Sequence, residues 1–537
     1  MIHYCGGSVF TGRPDDWAQS LVVDGGTVHF VGTTAEALIL APEAQIVDLA
    51  GAVVLPGFVD AHTHVLPFGE SLLQVDLSEA ADLTAIQDLI VAAAAADPHA
   101  PRIRGRYWLP IALAGRAPDR HMIDAAEAQR PVYLDAFDGH SAWVNTAALR
   151  EMGITAATPD PIGGSIERDP ITGEPTGILV EAAALVLMRD FLDTTVTDAD
   201  RDDALQSAFE HYLRAGVSTA VDMALTESDL RCLQRAVDKG DGRLPIRVAA
   251  HWLVQLTDSP DGNLAQVRRA AELSAVLNGP WLRLVGIKVI VDGVIDSCTA
   301  AMKAPFANDT HPGPLWDLDE LAPVVAAADA AGLQVAMHVI GDHASEIAIS
   351  AIEYAIDVNG PRDRRHRLEH LETVTAATVA RLGSLGIVAS MQPVHADPAI
   401  GENWRLMLGD ERVDRGFPWS EITAAGARLA FGTDAPTAPH QPLPNLYVAT
   451  TRRSARDPHL PAFLPHYALP WWEALAHATA DAAYSCRWED LIGSLAIGRA
   501  ADFVVIDSDP FAKQPESLLT AKVIAMVVDG VMTRFAV

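Results

Sequence analysis

Between residues 55 and 437 the chain returns eight times to a short apolar run of strand type, and most of the stretches between have helical spacing. The runs are LPGFVDAHTHV (55–65), STAVDM (218–223), IRVAAHWLV (246–254), LRLVGIKVIVDG (282–293), LQVAMHVIG (333–341), HRLEHLETV (366–374), IVASMQPVHADP (387–398) and RLAFGTDAPT (428–437). Stretches such as ALQSAFEHYLRAG, LAQVRRAAELSAVL and ELAPVVAAADAAG lie between them, the first and last closed by Gly. Eight buried strands alternating with helices predict an α/β chain built on a closed parallel (β/α)8 TIM-like barrel. The alternative, an open doubly wound sheet, usually has fewer strands and often a phosphate-binding Gly loop after the first, which this chain lacks.

The ends read differently. Residues 1–55 and 486–537 are β-like runs broken by Gly, with a hairpin signal at Asp24–Gly26, and neither end is long enough for a comfortable core of its own. The simplest solution joins them in one small β-sandwich domain flanking a barrel over 56–485; two unrelated β appendages are the alternative. Residues 66–202, after the first barrel strand, are too long for one helix and too apolar for disorder, and read as an insertion covering the barrel mouth.

The 39 Lys and Arg against 70 Asp and Glu leave a formal charge of −31, so neither nucleic acid nor an anionic membrane is an expected partner. Four scattered cysteines without a C-x-x-C pair indicate neither a disulfide framework nor a thiolate zinc site. No secretory signal and no apolar run near the ~20 residues of a membrane span is visible, so a cytoplasmic location is expected.

Most polar candidates fall at one end of the strands, the end where a barrel places its chemistry. His62 and His64 close the first strand, Lys288 lies in the fourth, and His338, His370 and Asp434 close the fifth, sixth and eighth. Two histidines two residues apart on a strand share a face and form a natural pair of metal ligands. Chance alone gives about 0.7 H-x-H pairs among 19 histidines, so the weight comes from the further ligand-type residues on other strand ends.

Lys288, flanked by Ile287 and Val289, is costly to bury as an ammonium. Burial lowers a lysine pKa, and the neutral amine can add carbon dioxide to form a carbamate that bridges two metal ions. An ion pair with Asp292 is the competing role. Asp434 in AFGTDAPT suits a metal ligand that also serves as general base and then acid, or alternatively an Asx turn before Pro436.

Together these residues resemble the amidohydrolase superfamily, specifically its YtcJ-like, amidohydrolase-3 branch, which includes N-substituted formamide deformylases. The resemblance rests on LPGFVDAHTH, DGHSAWVN (138–145), PIGGSIERDPITGEPTGILVE (161–181), GIKVIVDG, MHVIGDHA, HRLEHLE, FGTDAPT and GSLAIGRAADFVVID, spread over essentially the full length. It implies that His62, His64 and Asp434 hold one metal, and that carboxylated Lys288 bridges to a second held by His338 and His370. One or two divalent ions, zinc foremost, are implied, and a homodimer is the family-based expectation. Deaminase branches tend to place a Glu just beyond the fifth-strand His; HVIGDHA has none, which argues against a deaminase.

The implied activity is hydrolysis of an amide- or formamide-like C–N bond of a small molecule by metal-activated water. The alternatives are an esterase or lactonase on the same site, and a catalytically silent barrel serving as a binding or regulatory protein. His140 in the insertion and His395 on the seventh run are candidate oxyanion donors, or else packing histidines. Trp143 reads as a pocket wall or as core of the insertion, and Asp292 as a group that orients Lys288 or contacts the substrate amine.

Overall fold

Eight parallel strands run in one direction around the centre of the computed structural model, which describes residues 1–136, 141–161, 164–511 and 514–535. They are β1 (Phe58–Thr63), β2 (Val217–Leu225), β3 (Arg247–Val254), β4 (Leu282–Ile290), β5 (Gln334–Val339), β6 (Arg367–His370), β7 (Val388–Met391) and β8 (Leu429–Phe431). Each pairs with the next in sequence order. Their residues are almost all buried, as expected of strands covered on both faces.

The ends of the sheet meet beyond β8. The amides of Thr433 and Asp434 donate to the His62 carbonyl at 3.2 and 2.7 Å, and the His64 amide donates to the Ala435 carbonyl at 3.0 Å. This approach requires a glycine: a Cβ on Gly432 would lie 2.3 Å from the His62 nitrogen.

The crossover helices start and stop on local signals. Helix Glu227–Lys239 is opened by a capping box between Thr226 and Asp229, turns Leu230 and Leu233 into the core, and ends at Gly240. Several strands are shorter than their apolar runs. The seventh stops at Met391 because Pro393 has no N–H to offer a ladder, and Asp397 then caps the helix Pro398–Leu408. The sixth stops where His370 and Leu371 take left-handed φ values of 74° and 48°.

Both termini join one hydrogen-bonded sheet, in the order 531–534, 523–528, 503–506, 53–56, 2–13, 16–24 and 27–32, with 45–48 beside 2–13. The two ends meet where Val53–Pro56 runs antiparallel to Phe503–Ile506, Val54 facing Val505. The strands trace one continuous path, so the expected sandwich is not delineated as two stacked sheets. Of the stretch expected with the terminal sheet, Cys486, Trp488 and Ile492 pack against barrel residues Val59, Ala249 and Val388, whereas Leu495 joins the core of the terminal sheet and Gly498 and Arg499 bond the backbone of Val28.

Arg247 of β3 ties this sheet to the barrel. Its guanidinium bonds Asp502 at 2.7 and 3.2 Å, both residues are buried, and it lies 4.4 Å over the ring of Trp281. Arg247→Ala strands the Asp502 carboxylate, so we expect a loss of about 3–5 kcal/mol, read as a lowered Tm.

Residues 66–208 form a separate compact unit. Its six-stranded sheet has the order 164–168, 175–181, 141–144, 132–136, 103–108 and 75–76, over a core of Ile86, Ile90, Trp108, Leu134 and Trp143. Among the described residues, no helix of the protein is long and apolar enough to cross a membrane.

Candidate metal centre

Ligand-type side chains from β1, β4, β5 and β6 and the segment after β8 gather at the strand ends. Asp434 is the hub. Its Oδ1 lies 3.3 Å from His62 Nε2 and 3.1 Å from His64 Nε2, and its Oδ2 lies 3.7 Å from His395 Nε2. Tetrahedral coordination with metal–ligand bonds of about 2.0–2.2 Å separates neighbouring donors by roughly 3.3–3.5 Å. The His62–Asp434 contact matches that edge length, and His64 approaches it. His62, His64 and Asp434 form one group of donor atoms mutually close enough to share an ion, and His370, His395 and Asp434 form another.

The hydrogen-bond partners show which ring nitrogens are available. His62 Nδ1 donates to Glu369 Oε2 at 2.6 Å and His370 Nδ1 to Gln392 Oε1 at 2.8 Å, which leaves both Nε2 atoms as lone-pair donors. His338 is the reverse: its Nε2 donates to the Gly293 carbonyl at 3.1 Å, leaving Nδ1. The three rings cluster, with His370 at 4.7 Å from His62 and 4.4 Å from His338 between centroids. His370 sits next to Glu369 in sequence, and its left-handed φ at the strand end lets both side chains serve the same mouth.

Burial disfavours the charged form of His62, His338 and His370, which suits metal ligands, whereas the Asp434 carboxylate outweighs burial at His64 and draws its pKa up. Burial, then the charge of Lys288, draws His338 down to about 3. Burial and the neighbouring His338 and His62 hold His370 well below the usual range. Burial pushes the Asp434 carboxyl up, but His62 and His64 outweigh it and hold it far below its ordinary value.

Lys288 is 3% exposed, and its Nζ, buried in β4, has no hydrogen-bond partner. Burial draws its pKa down to about 8, against the opposing pull of Glu369 and Asp434. An orphaned amine beside neutral imidazoles and ionised carboxylates fits a lysine meant to carry a carbamate and a cation. The donor set of imidazole nitrogens and carboxylate oxygens suits a borderline divalent ion such as zinc.

Asp292 and His395 sit otherwise than the sequence reading places them, and Trp143 takes the second of its two expected roles. Asp292 does not pair with Lys288, whose Nζ has no hydrogen-bond partner. It lies in the loop after β4, where its carboxylate accepts the amides of Ala301, Ile340 and Gly341 at 2.8–3.0 Å and braces the loop beside His338. Trp143 is core, fully buried against Trp108 at 5.2 Å between centroids, because the residues around it on its strand are buried too. His395 lies on a 3-10 turn rather than a strand, for the reason Pro393 gives, yet it reaches the site. His140 lies outside the described residues.

Two carboxylates that contact the site histidines escaped the sequence reading. Glu369 grips His62, and Glu372 accepts from His395 Nδ1 at 3.3 Å, so the segment RLEHLE places a carboxylate behind a histidine on each side of Asp434. The signal was present: Arg367 and Glu369 are charges two apart in a run otherwise fit for burial on both faces.

With this geometry in place, the chain can be set against known proteins. The sequence profile of the amidohydrolase family matches residues 45–534. The chain is 30% identical to a putative amidohydrolase, YtcJ, of Bacillus subtilis, over 98% of each chain. It is 29% identical to an N-substituted formamide deformylase of Arthrobacter pascens, over 96% of this chain and 94% of that one. A crystal structure of an uncharacterized metal-dependent hydrolase from Pyrococcus furiosus superposes with a TM-score of 0.77 at 26% identity, over 95% of this chain and 99% of that one.

Proposed function

This chain belongs to the amidohydrolase family, on its amidohydrolase-3 branch, and from that membership we propose that its metal-dependent hydrolysis is directed at a C–N acyl bond of a small molecule, an N-substituted formamide foremost. The observation that carries the reading is the convergence of His62, His64 and His395 Nε2 on the two oxygens of Asp434, beside the unpartnered amine of Lys288. The bond type is supported by the deformylase similarity.

His62, His64 and Asp434 would hold one zinc ion, with carboxylated Lys288 bridging to a second held by His338 and His370. Such ions polarise a carbonyl and bring the pKa of water from 15.7 towards about 7. Carboxylation of Lys288 joins its amine to carbon dioxide and releases one proton.

In this reading Asp434 moves the reaction's proton. Its Oδ1 is held by His62 and His64, and its Oδ2 faces His395 and the mouth, so Oδ2 takes a proton from the attacking water and returns it to the leaving nitrogen. The C–N bond breaks as the new C–O bond is kept, giving an acid and an amine from amide and water. His395, steadied by Glu372, would donate to the carbonyl oxygen.

Dialysis against a chelator should lower turnover of N-substituted formamides by at least about 100-fold, and zinc should restore it. The assay panel holds formamides, N-acyl amines, hydantoin-like rings and lactones. Faster turnover of lactones than of every C–N substrate would overturn the bond assignment, and full activity in metal-free protein would overturn the metal role.

A further inference from the structure

Arg367 and Glu369 form a fully buried ion pair inside the strand that also carries His370. Arg367 Nε and Nη2 bond the two carboxylate oxygens of Glu369 at 2.5 and 3.0 Å, the bidentate fork that only arginine presents. The same guanidinium reaches the Ala61 carbonyl at 2.6 Å, Ser390 Oγ at 2.6 Å and Ser485 Oγ at 3.2 Å. Glu369 Oε2 in turn accepts from His62 Nδ1 at 2.6 Å. One guanidinium therefore fixes both the backbone immediately before His62 and, through Glu369, the ring of His62 itself.

We propose that Glu369, clamped by Arg367, is a positioning residue of the hydrolytic site: it sets the ring orientation and tautomer of His62, so that Nε2 faces Asp434 as a lone-pair donor. The inference rests on the reading of His62 as a cation ligand. Its chemistry is asymmetric. A carboxylate accepts from Arg367 and from His62 Nδ1 at once, whereas an amide has a single oxygen. In Glu369→Gln that oxygen turns to the guanidinium, and the NH2 group faces His62. His62 must then accept at Nδ1, and its proton moves to Nε2, where it blocks coordination.

The test uses metal-free protein, full-length and histidine-labelled with nitrogen-15, with zinc alone as the probe. In Glu369→Gln we expect zinc affinity, measured by competition with a chromophoric chelator, to fall about 10–100-fold. The His62 nitrogen signals, assigned from a His62→Asn spectrum, should show the proton shifted from Nδ1 to Nε2, which a purely structural role for Glu369 would not produce. An unshifted His62 signature in the folded variant overturns the proposal, as does a shifted signature with zinc affinity unchanged. If wild-type protein takes up no zinc while the signature still shifts, the positioning role stands and the metal reading above falls. Glu369→Asp keeps the charge with Arg367 but draws the acceptor back from His62. It gives the same weakened affinity and an unanchored ring if the amide variant does not fold, and wild-type behaviour there overturns the proposal.

Discussion

Asp434→Asn is expected to lower kcat/KM for the best substrate by about 10³–10⁴-fold in a protein that still folds. The replacement has nearly the same shape, so the fit of the segment after β8 against His62 survives. What disappears is a charged donor shared by two histidines and the group that can take a proton. The stability consequence has a definite sign. The Asp434 carboxyl is held well below its ordinary value in the folded protein, so it stabilises the fold above the ordinary carboxylate range. That contribution is lost as pH falls through the lower folded value. Metal-free Asp434→Asn should therefore melt below wild type at neutral pH, with the gap closing in strong acid. Differential scanning fluorimetry across pH reads the gap, and a steady-state assay reads the rate. Near-normal turnover with stoichiometric metal would remove Asp434 from the mechanism.

Lys288→Met should do the opposite to stability and the same to activity. A buried ammonium without a hydrogen-bond partner is a cost to the fold, and methionine fills a similar volume without it. The folded pKa of Lys288 stands at about 8, below the 10.5 of a free lysine. Below pH 8 the lysine is protonated in both folded and unfolded chains, and the full penalty, on the order of 3 kcal/mol, weighs on the fold. It shrinks as pH rises from about 8 to 10.5 and is absent above. Metal-free Lys288→Met should therefore melt above wild type at neutral pH, and the two should converge near pH 10.5. Turnover should fall at least about 100-fold if Lys288 carries the proposed bridging carbamate. Bicarbonate should raise zinc uptake in wild type and leave it unchanged in the variant. A variant that melts below wild type at pH 7 would show that Lys288 is paired in the fold.

The barrel was legible because strands covered on both faces are written as unbroken apolar runs, and few other folds need eight of them in series. His62, His64, His338, His370 and Asp434 were legible because each ends such a run. Strand limits were less so: His395 was read as strand because IVASMQPVHADP is apolar enough, although Pro393 ends the ladder. Asp292 was misread because its partners are backbone amides, and no sequence pattern marks a carboxylate that ties two loops together. Glu369 was missed for a different reason. Its contact with His62 spans 307 residues, so its meaning appears only after β1 and β6 have been brought into one barrel. Trp143 shows the limit of a motif: DGHSAWVN points to a branch of the family without saying which of its side chains faces a substrate.

The closure of the barrel at Gly432 has a bearing on how the protein comes into being. The edge that His62 offers is completed by a segment synthesised some 370 residues later, the separation of His64 from Asp434. Until that segment arrives, β1 is an apolar strand with one open border, the kind of surface on which nascent chains stick to one another. The cation-binding hub is assembled by the same late event, so an ion can reward only a finished ring. A divalent ion supplied during refolding should thus rescue yield at the last stage of assembly and do nothing for fragments that stop short of β8.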